Sequence, residues 1–175
     1  MFTYCIVFLS TVFSSNGDTL HPDEAGNIGT PVLLTDPAFF LKAGESYFDP
    51  SGKRVIFQAI EHPLVHIIGH PTGRVLGKRP GLDPDMPTLF AAAVNCNTAM
   101  ELNANSWRLD LRDTHVHAAI ELGALISINT DSHAANDFDQ LRYGILTARR
   151  GWLTPESCIN CFAQDALDAW LARSC

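Results

Sequence analysis

Beyond Gly52 the apolar positions of the chain change period in a regular way. Val55, Ile56, Ala59 and Ile60 recur at helical spacing, Pro63 ends that helix, and Leu64 to Ile68 is a short apolar run of the kind that forms a buried strand. The alternation repeats with a helix near Pro84 to Asn95 and a strand at Ala99 to Leu102, then a helix near Thr114 to Leu122 and a strand at Leu125 to Asn129. Continuous apolar strands between amphipathic helices mark a parallel sheet whose faces are covered, so residues 53–175 read as α/β, with about three parallel strands and covering helices. A helix over about Asn136 to Arg149 follows, then a turn at Gly151. Thr154-Pro155 then predicts a further helix, with a hydroxyl at the N-cap and proline in the first turn.

The first 52 residues do not share this grammar. Phe2 to Phe13 is rich in Val, Ile, Phe and Thr and reads as a buried strand, suited to lie beside Leu64 to Ile68. A signal peptide is the other reading of that stretch, but no Lys or Arg precedes the apolar run. From Ser14 to Gly52 turn signals crowd together at Asn16-Gly17, His21-Pro22, Gly26-Asn27, Asp36-Pro37 and Asp49-Pro50. Pro31 to Thr35 is the one short strand this stretch suggests, and Ala38 to Leu41 an apolar turn. Residues 1–52 are therefore an irregular, unassigned N-terminal segment.

Composition narrows the class. The chain has 175 residues, 46% of them hydrophobic and 18% charged, which suits one ordinary domain and excludes a disordered or collagen-like chain. Its formal net charge of -7 opposes tight, sequence-independent binding to duplex DNA, because few cations are present to displace phosphate counterions. No run is long enough to span a bilayer as a helix, and no membrane partner is expected. Five cysteines, Cys5, Cys96, Cys158, Cys161 and Cys175, are an odd number at low density, which reads as reduced structural thiols and a cytoplasmic protein. Cys158-x-x-Cys161 is half of a zinc or redox motif with no second half, and reads as two helical cysteines.

Polar residues gather just past the carboxyl ends of the three strands: His70-Pro71-Thr72-Gly73-Arg74, then Asn103-Ala104-Asn105, then Thr130-Asp131-Ser132-His133. In α/β folds that edge carries ligand and catalytic groups. His70, Asp131 and His133 form an imidazole and carboxylate set suited to Zn2+ or Mn2+. Arg74 offers a planar donor fork for phosphate oxygens, and Asn103 and Asn105 either orient ligands or cap the strand end. Glu101 alternates into a strand, as a second-layer carboxylate or as a catalytic base. His115-Val116-His117 falls in a helix, where positions two apart diverge and cannot share an ion. Arg149 and Arg150 suit the end of a helix, and Trp107, Trp152 and Trp170 read as packing residues.

The segments His66-Ile67-Ile68-Gly69-His70-Pro71-Thr72-Gly73-Arg74, Glu101-Leu102-Asn103-Ala104-Asn105 with Arg108-Leu109-Asp110-Leu111, and Ser127-Ile128-Asn129-Thr130-Asp131-Ser132-His133 resemble the C-terminal part of a polymerase and histidinol phosphatase (PHP) domain. The likeness is to the PHP domain attached to bacterial family X DNA polymerases, and it continues through Leu141-Arg142-Tyr143-Gly144 and Thr147 to Leu153. It covers roughly Lys53 to Arg173. The resemblance implies a partial (β/α)7 barrel that hydrolyses phosphate esters with divalent metals, in the manner of a 3'-5' exonuclease or 3'-end phosphatase. It also implies His70, Asp131 and His133 as both metal ligands and catalytic residues. The family's N-terminal His-x-His pair and its other upstream ligands have no recognisable counterpart before His70. The reading that follows is a phosphoesterase with incomplete metal occupancy, its substrate a phosphate ester such as a nucleic-acid 3' end. The alternative is a catalytically inactive, truncated remnant acting at most as a folding or interaction unit; on either reading the open sheet edge predicts a marginal monomer that dimerises, aggregates or needs a partner barrel half.

Overall fold

The computed structural model describes residues 6–8 and 53–172. Four parallel strands stand in the order β1-β2-β3-β4, with β1 at Ile6–Phe8, β2 at Ile67–Gly69, β3 at Ala99–Asn103 and β4 at Ile126–Asn129. Helices α1 (Lys53–Ile60), α2 (Met86–Asn95) and α3 (Asp113–Glu121) lie between or before the strands. Helix α4 (Leu141–Arg150) follows β4, and α5 (Gln164–Leu171) closes the described chain. The alternation of helix and parallel strand expected from the apolar pattern is thus present. The strand expected within Phe2 to Phe13 is present at Ile6–Phe8, paired with β2 from Ile6 beside Ile67 to Phe8 beside Gly69. The readings at Pro31 to Thr35, at Ala38 to Leu41 and of the turns between lie outside the described residues.

Local chemistry explains the element ends. Helix α2 begins where the Asp85 carboxylate accepts from the Thr88 N–H at 3.3 Å, with proline in the first turn. Its buried residues, Met86, Leu89, Phe90 and Ala93, recur at helical spacing and face the sheet. They join Ile56, Ile60, Ile68, Met100, Leu102, Val116 and Ile126 in the main core. A smaller cluster of Ile67, Ala99, Ile159, Trp170 and Leu171 packs on the other face of the strands. Strand β3 is buried at all five positions, as a central strand should be.

Side chains alternate along β3, so Met100 and Leu102 enter the helix-side core while Ala99, Glu101 and Asn103 take the opposite face. The parallel register sets Glu101 beside Ser127 and Asn103 beside Asn129. The second face is consequently apolar at its amino end and polar at its carboxyl end. That division aims the polar side chains at one edge of the sheet.

Several expectations need correction. The helix after β4 is two elements, a 3-10 stretch over Ala135–Gln140 and then α4. Asp137 stabilises the break by accepting from the N–H groups of His133 and Ala134, both at 2.9 Å. Thr154-Pro155 opens a 3-10 turn, Pro155–Ser157, followed by another at Ile159–Cys161, so Cys158 and Cys161 are not in an α-helix. The reason is Asn160, whose side chain receives the Ile128 N–H at 2.7 Å and donates to the Ile128 carbonyl at 3.1 Å, drawing this segment alongside β4. Cys96 is disulfide-bonded rather than reduced. Trp107 and Trp152 are largely exposed, and only Trp170 is a core residue, with its indole N–H on the Asn97 carbonyl.

Candidate functional site at the carboxyl ends of the strands

Glu101 is the centre of the polar edge. It is fully buried, and its carboxylate accepts from the His70 backbone N–H at 2.5 Å, from Asn103 Nδ2 at 3.3 Å and from Asn129 Nδ2 at 3.2 Å. One side chain thereby ties together the tips of β2, β3 and β4. Burial raises its pKa to about 7, against the opposing pull of these three donors, and the nearby Asp131 charge raises it further.

His70 and Asp131 follow β2 and β4, and both backbones take the left-handed region, with φ 29° and 55°. Such backbones are uncommon outside glycine and persist where neighbours hold them. The Glu101 bond is the hold on His70. The His70 ring is buried, and its pKa falls to about 4, first through desolvation and then through the Arg108 charge. Its imidazole is therefore neutral at pH 7. Asp131 and Arg79 also act electrostatically on this ring, Asp131 favouring its charged form and Arg79 opposing it.

His133 is exposed, and its Nδ1 lies 2.8 Å from the Asp131 carbonyl. A carbonyl only accepts, so the Nδ1 atom carries the proton and a neutral ring keeps its lone pair on Nε2. Arg74 is placed differently from the expectation of a phosphate contact. Its Nε donates to the Arg108 carbonyl at 2.8 Å and its Nη2 to the Leu109 carbonyl, so the guanidinium braces the loop after β3. Gly81, with φ +89°, permits this arrangement, since a Cβ there would stand 2.8 Å from both Arg74 Cβ and the Thr72 carbonyl. Asn103 Oδ1 accepts from the Asn105 N–H at 3.0 Å, and Asn105 Oδ1 from the Trp107 N–H at 2.9 Å, so both asparagines shape the same loop. Asp110 is buried beneath it, where one carboxylate oxygen accepts from the Thr72 N–H at 3.0 Å.

Sequence reasoning missed Arg108. Its Nε lies 3.9 Å from Asp131 Oδ2, which puts a cation between the β3 loop and the β4 tip. Its position five residues past the end of β3 was the available signal. The set is chemically a neutral imidazole, two carboxyl groups and a guanidinium around one strand edge. Among the described residues no three or more His, Cys, Asp or Glu side chains converge closely enough to hold a metal ion. Cys158 and Cys161 are free thiols, and burial pushes Cys158 up to about 11, which makes it a poor thiolate ligand at neutral pH. His115 and His117 lie on α3, with His117 against the Trp152 ring at 5.0 Å.

Comparison with characterised proteins bears directly on this arrangement. The chain is 40% identical over 157 residues, 87% of its length, to the DNA polymerase/3'-5' exonuclease PolX of Bacillus subtilis (strain 168). The chain is homologous to part of a PolX. It spans 27% of that relative, so most of PolX has no counterpart here. Coverage of 87% is more than residues 53–175 can supply, so the similarity to PolX reaches into the N-terminal segment. Weaker matches, 23% identical over 151 residues, are to probable phosphatases of Thermoanaerobacter sp. (strain X514) and Thermoanaerobacter pseudethanolicus (strain ATCC 33223 / 39E). The chain spans 59% of each. No protein-family model matches the chain. No helix of the described residues is long and apolar enough to cross a membrane.

Proposed function

We propose that this chain is the C-terminal part of a PHP-type, metal-dependent phosphoesterase, built as part of a (β/α)7 barrel and acting on phosphate esters of the kind found at nucleic-acid 3' ends. The observation that carries the reading is that His70 lies just past β2 and Asp131-x-His133 just past β4, the parallel strands on either side of β3, in a chain homologous to a polymerase with 3'-5' exonuclease in its name. His70, Asp131 and His133 are the proposed donors to Mn2+ or Zn2+, with the remaining donors supplied by chain outside the described residues or by a second barrel half. A divalent ion in such a setting lowers the pKa of a bound water and neutralises phosphate charge. Two observations support this chemically: the His70 imidazole is neutral, and the contact of His133 Nδ1 with the Asp131 carbonyl leaves Nε2 as the nitrogen able to donate to a cation.

The second reading is an inactive remnant, favoured by the lack of a three-donor group among the described residues. One comparison separates the two. Purified protein with Mn2+ and bis(p-nitrophenyl) phosphate should turn over, and Asp131→Ala should abolish that turnover. Equal rates for the two proteins would establish the remnant.

A further inference from the structure

The loop after β3 is built more firmly than a surface connection requires. The Asn105 carbonyl accepts from the N–H groups of Arg108 at 2.8 Å and Leu109 at 3.0 Å. Asn103 and Asp110 exchange backbone hydrogen bonds at 2.6 and 3.2 Å, and the Arg74 guanidinium holds the carbonyls of Arg108 and Leu109 from the β2 side. Residues from two strand tips thus fix the backbone of Arg108.

The side chain held in this way is underused. Its Nε is 3.9 Å from Asp131 Oδ2, beyond hydrogen-bond reach, and among the described residues its guanidinium has no hydrogen-bond acceptor. The Nη1 atom is buried without an acceptor among the described residues, while the side chain as a whole keeps 18% of its surface open. Leaving a charged donor desolvated and unpaired costs free energy that an arriving acceptor recovers. A planar guanidinium is matched in shape and charge to a phosphate group. The surroundings carry both signs: the Arg79 charge also reaches His70 from the loop after β2, while the Asp131 carboxylate stands beside the fork.

We propose that Arg108 is the phosphate-binding residue of this site, presenting its guanidinium fork beside His70 and Asp131 to the phosphate group of an ester substrate. This rests on the phosphoesterase reading for its choice of ligand. It assigns to Arg108 the contact that the sequence pattern suggested for Arg74, and leaves Arg74 as the positioning residue that braces the Arg108 backbone.

The test measures binding, so it does not depend on catalysis. The full chain is titrated with inorganic phosphate, and with a 3'-phosphorylated dinucleotide, in metal-free buffer, and binding is followed by calorimetry or by 31P line broadening. Arg108→Ala should weaken both by about tenfold or more, the usual scale for a charge-assisted contact. Arg108→Lys should recover part of that loss, and Asp131→Asn should bind phosphate at least as tightly as the parent, because a neighbouring anion is gone. Unchanged thermal midpoints for the Lys variant guard against a folding artefact. Parent protein that binds no phosphate, or Arg108→Ala and Arg108→Lys that bind it like the parent, would overturn the assignment and leave Arg108 as a counter-ion to Asp131. Arg108-dependent phosphate binding without Mn2+-dependent turnover would sink the enzyme reading and keep this one.

Discussion

The N–H of His70 donates to Glu101 Oε2 at 2.5 Å, so the tip of one strand is held by a carboxylate from the middle of the next. The two groups oppose each other in their effect on stability with pH. His70 has a folded pKa near 4, below its ordinary 6.5, so the unfolded chain binds the extra proton and stability falls as pH drops from 6.5 toward 4. Glu101 has a folded pKa near 7, above its ordinary 4.5, so its contribution is complete at low pH and is lost as pH rises from 4.5 through 7. Over most of this window the two slopes cancel. Glu101→Gln, which keeps the shape and removes the titration, should uncover the slope that Glu101 offsets, so that stability rises more steeply from pH 4 to 6.5 than in the parent, by up to a few kcal/mol. Urea unfolding of both proteins across this range checks it, and parallel profiles would refute the coupling.

Asn160 imitates a strand at the outer edge of β4. Truncation to alanine removes both hydrogen bonds to Ile128, each replaceable only by water at that edge. Asn160→Ala should cost about 1–3 kcal/mol and speed amide exchange at Ile128 more than at Leu102 on the central strand. Equal exchange at Ile128 in the two proteins would show that the edge needs no such partner.

Gly144 lets α4 approach the strand ends. A Cβ at this position would stand 2.7 Å from both Ala104 Cβ and Ile128 Cγ2. Gly144→Ala should therefore destabilise by about 1–3 kcal/mol through overpacking, although alanine is the better helix former. A gain in the denaturant midpoint would mean that the helix can shift without loss.

What was legible in the sequence followed from periodicity. Leu89, Phe90 and Ala93 announce one helix face, and the unbroken burial of Ala99 to Asn103 announces a central parallel strand. The site was legible as a set of strand ends, because chain order alone places His70, Asn103 and Asp131 after successive strands. Contacts between loops were not. That Arg74 faces backbone carbonyls, while Arg108 stays unbonded beside Asp131, depends on how two turns from different strands meet. Likewise Thr154-Pro155 is a good helix opening locally, and it loses to the tertiary bonds that Asn160 makes with β4.

The small cluster on the far face of the sheet has a temporal consequence. His66, which immediately precedes β2, places its Nε2 3.0 Å from the Leu171 carbonyl and its ring edge-on to Trp170. Ile67 and Ala99 are covered by those same C-terminal residues, and β4 is completed by Asn160. During synthesis β2 and β3 therefore leave the ribosome well before the chain that seals them. The strand tips that carry His70 and Glu101 gain their final support only after residue 171 has emerged from the exit tunnel, so a nascent chain stalled before that point holds every candidate site residue in an unsealed sheet.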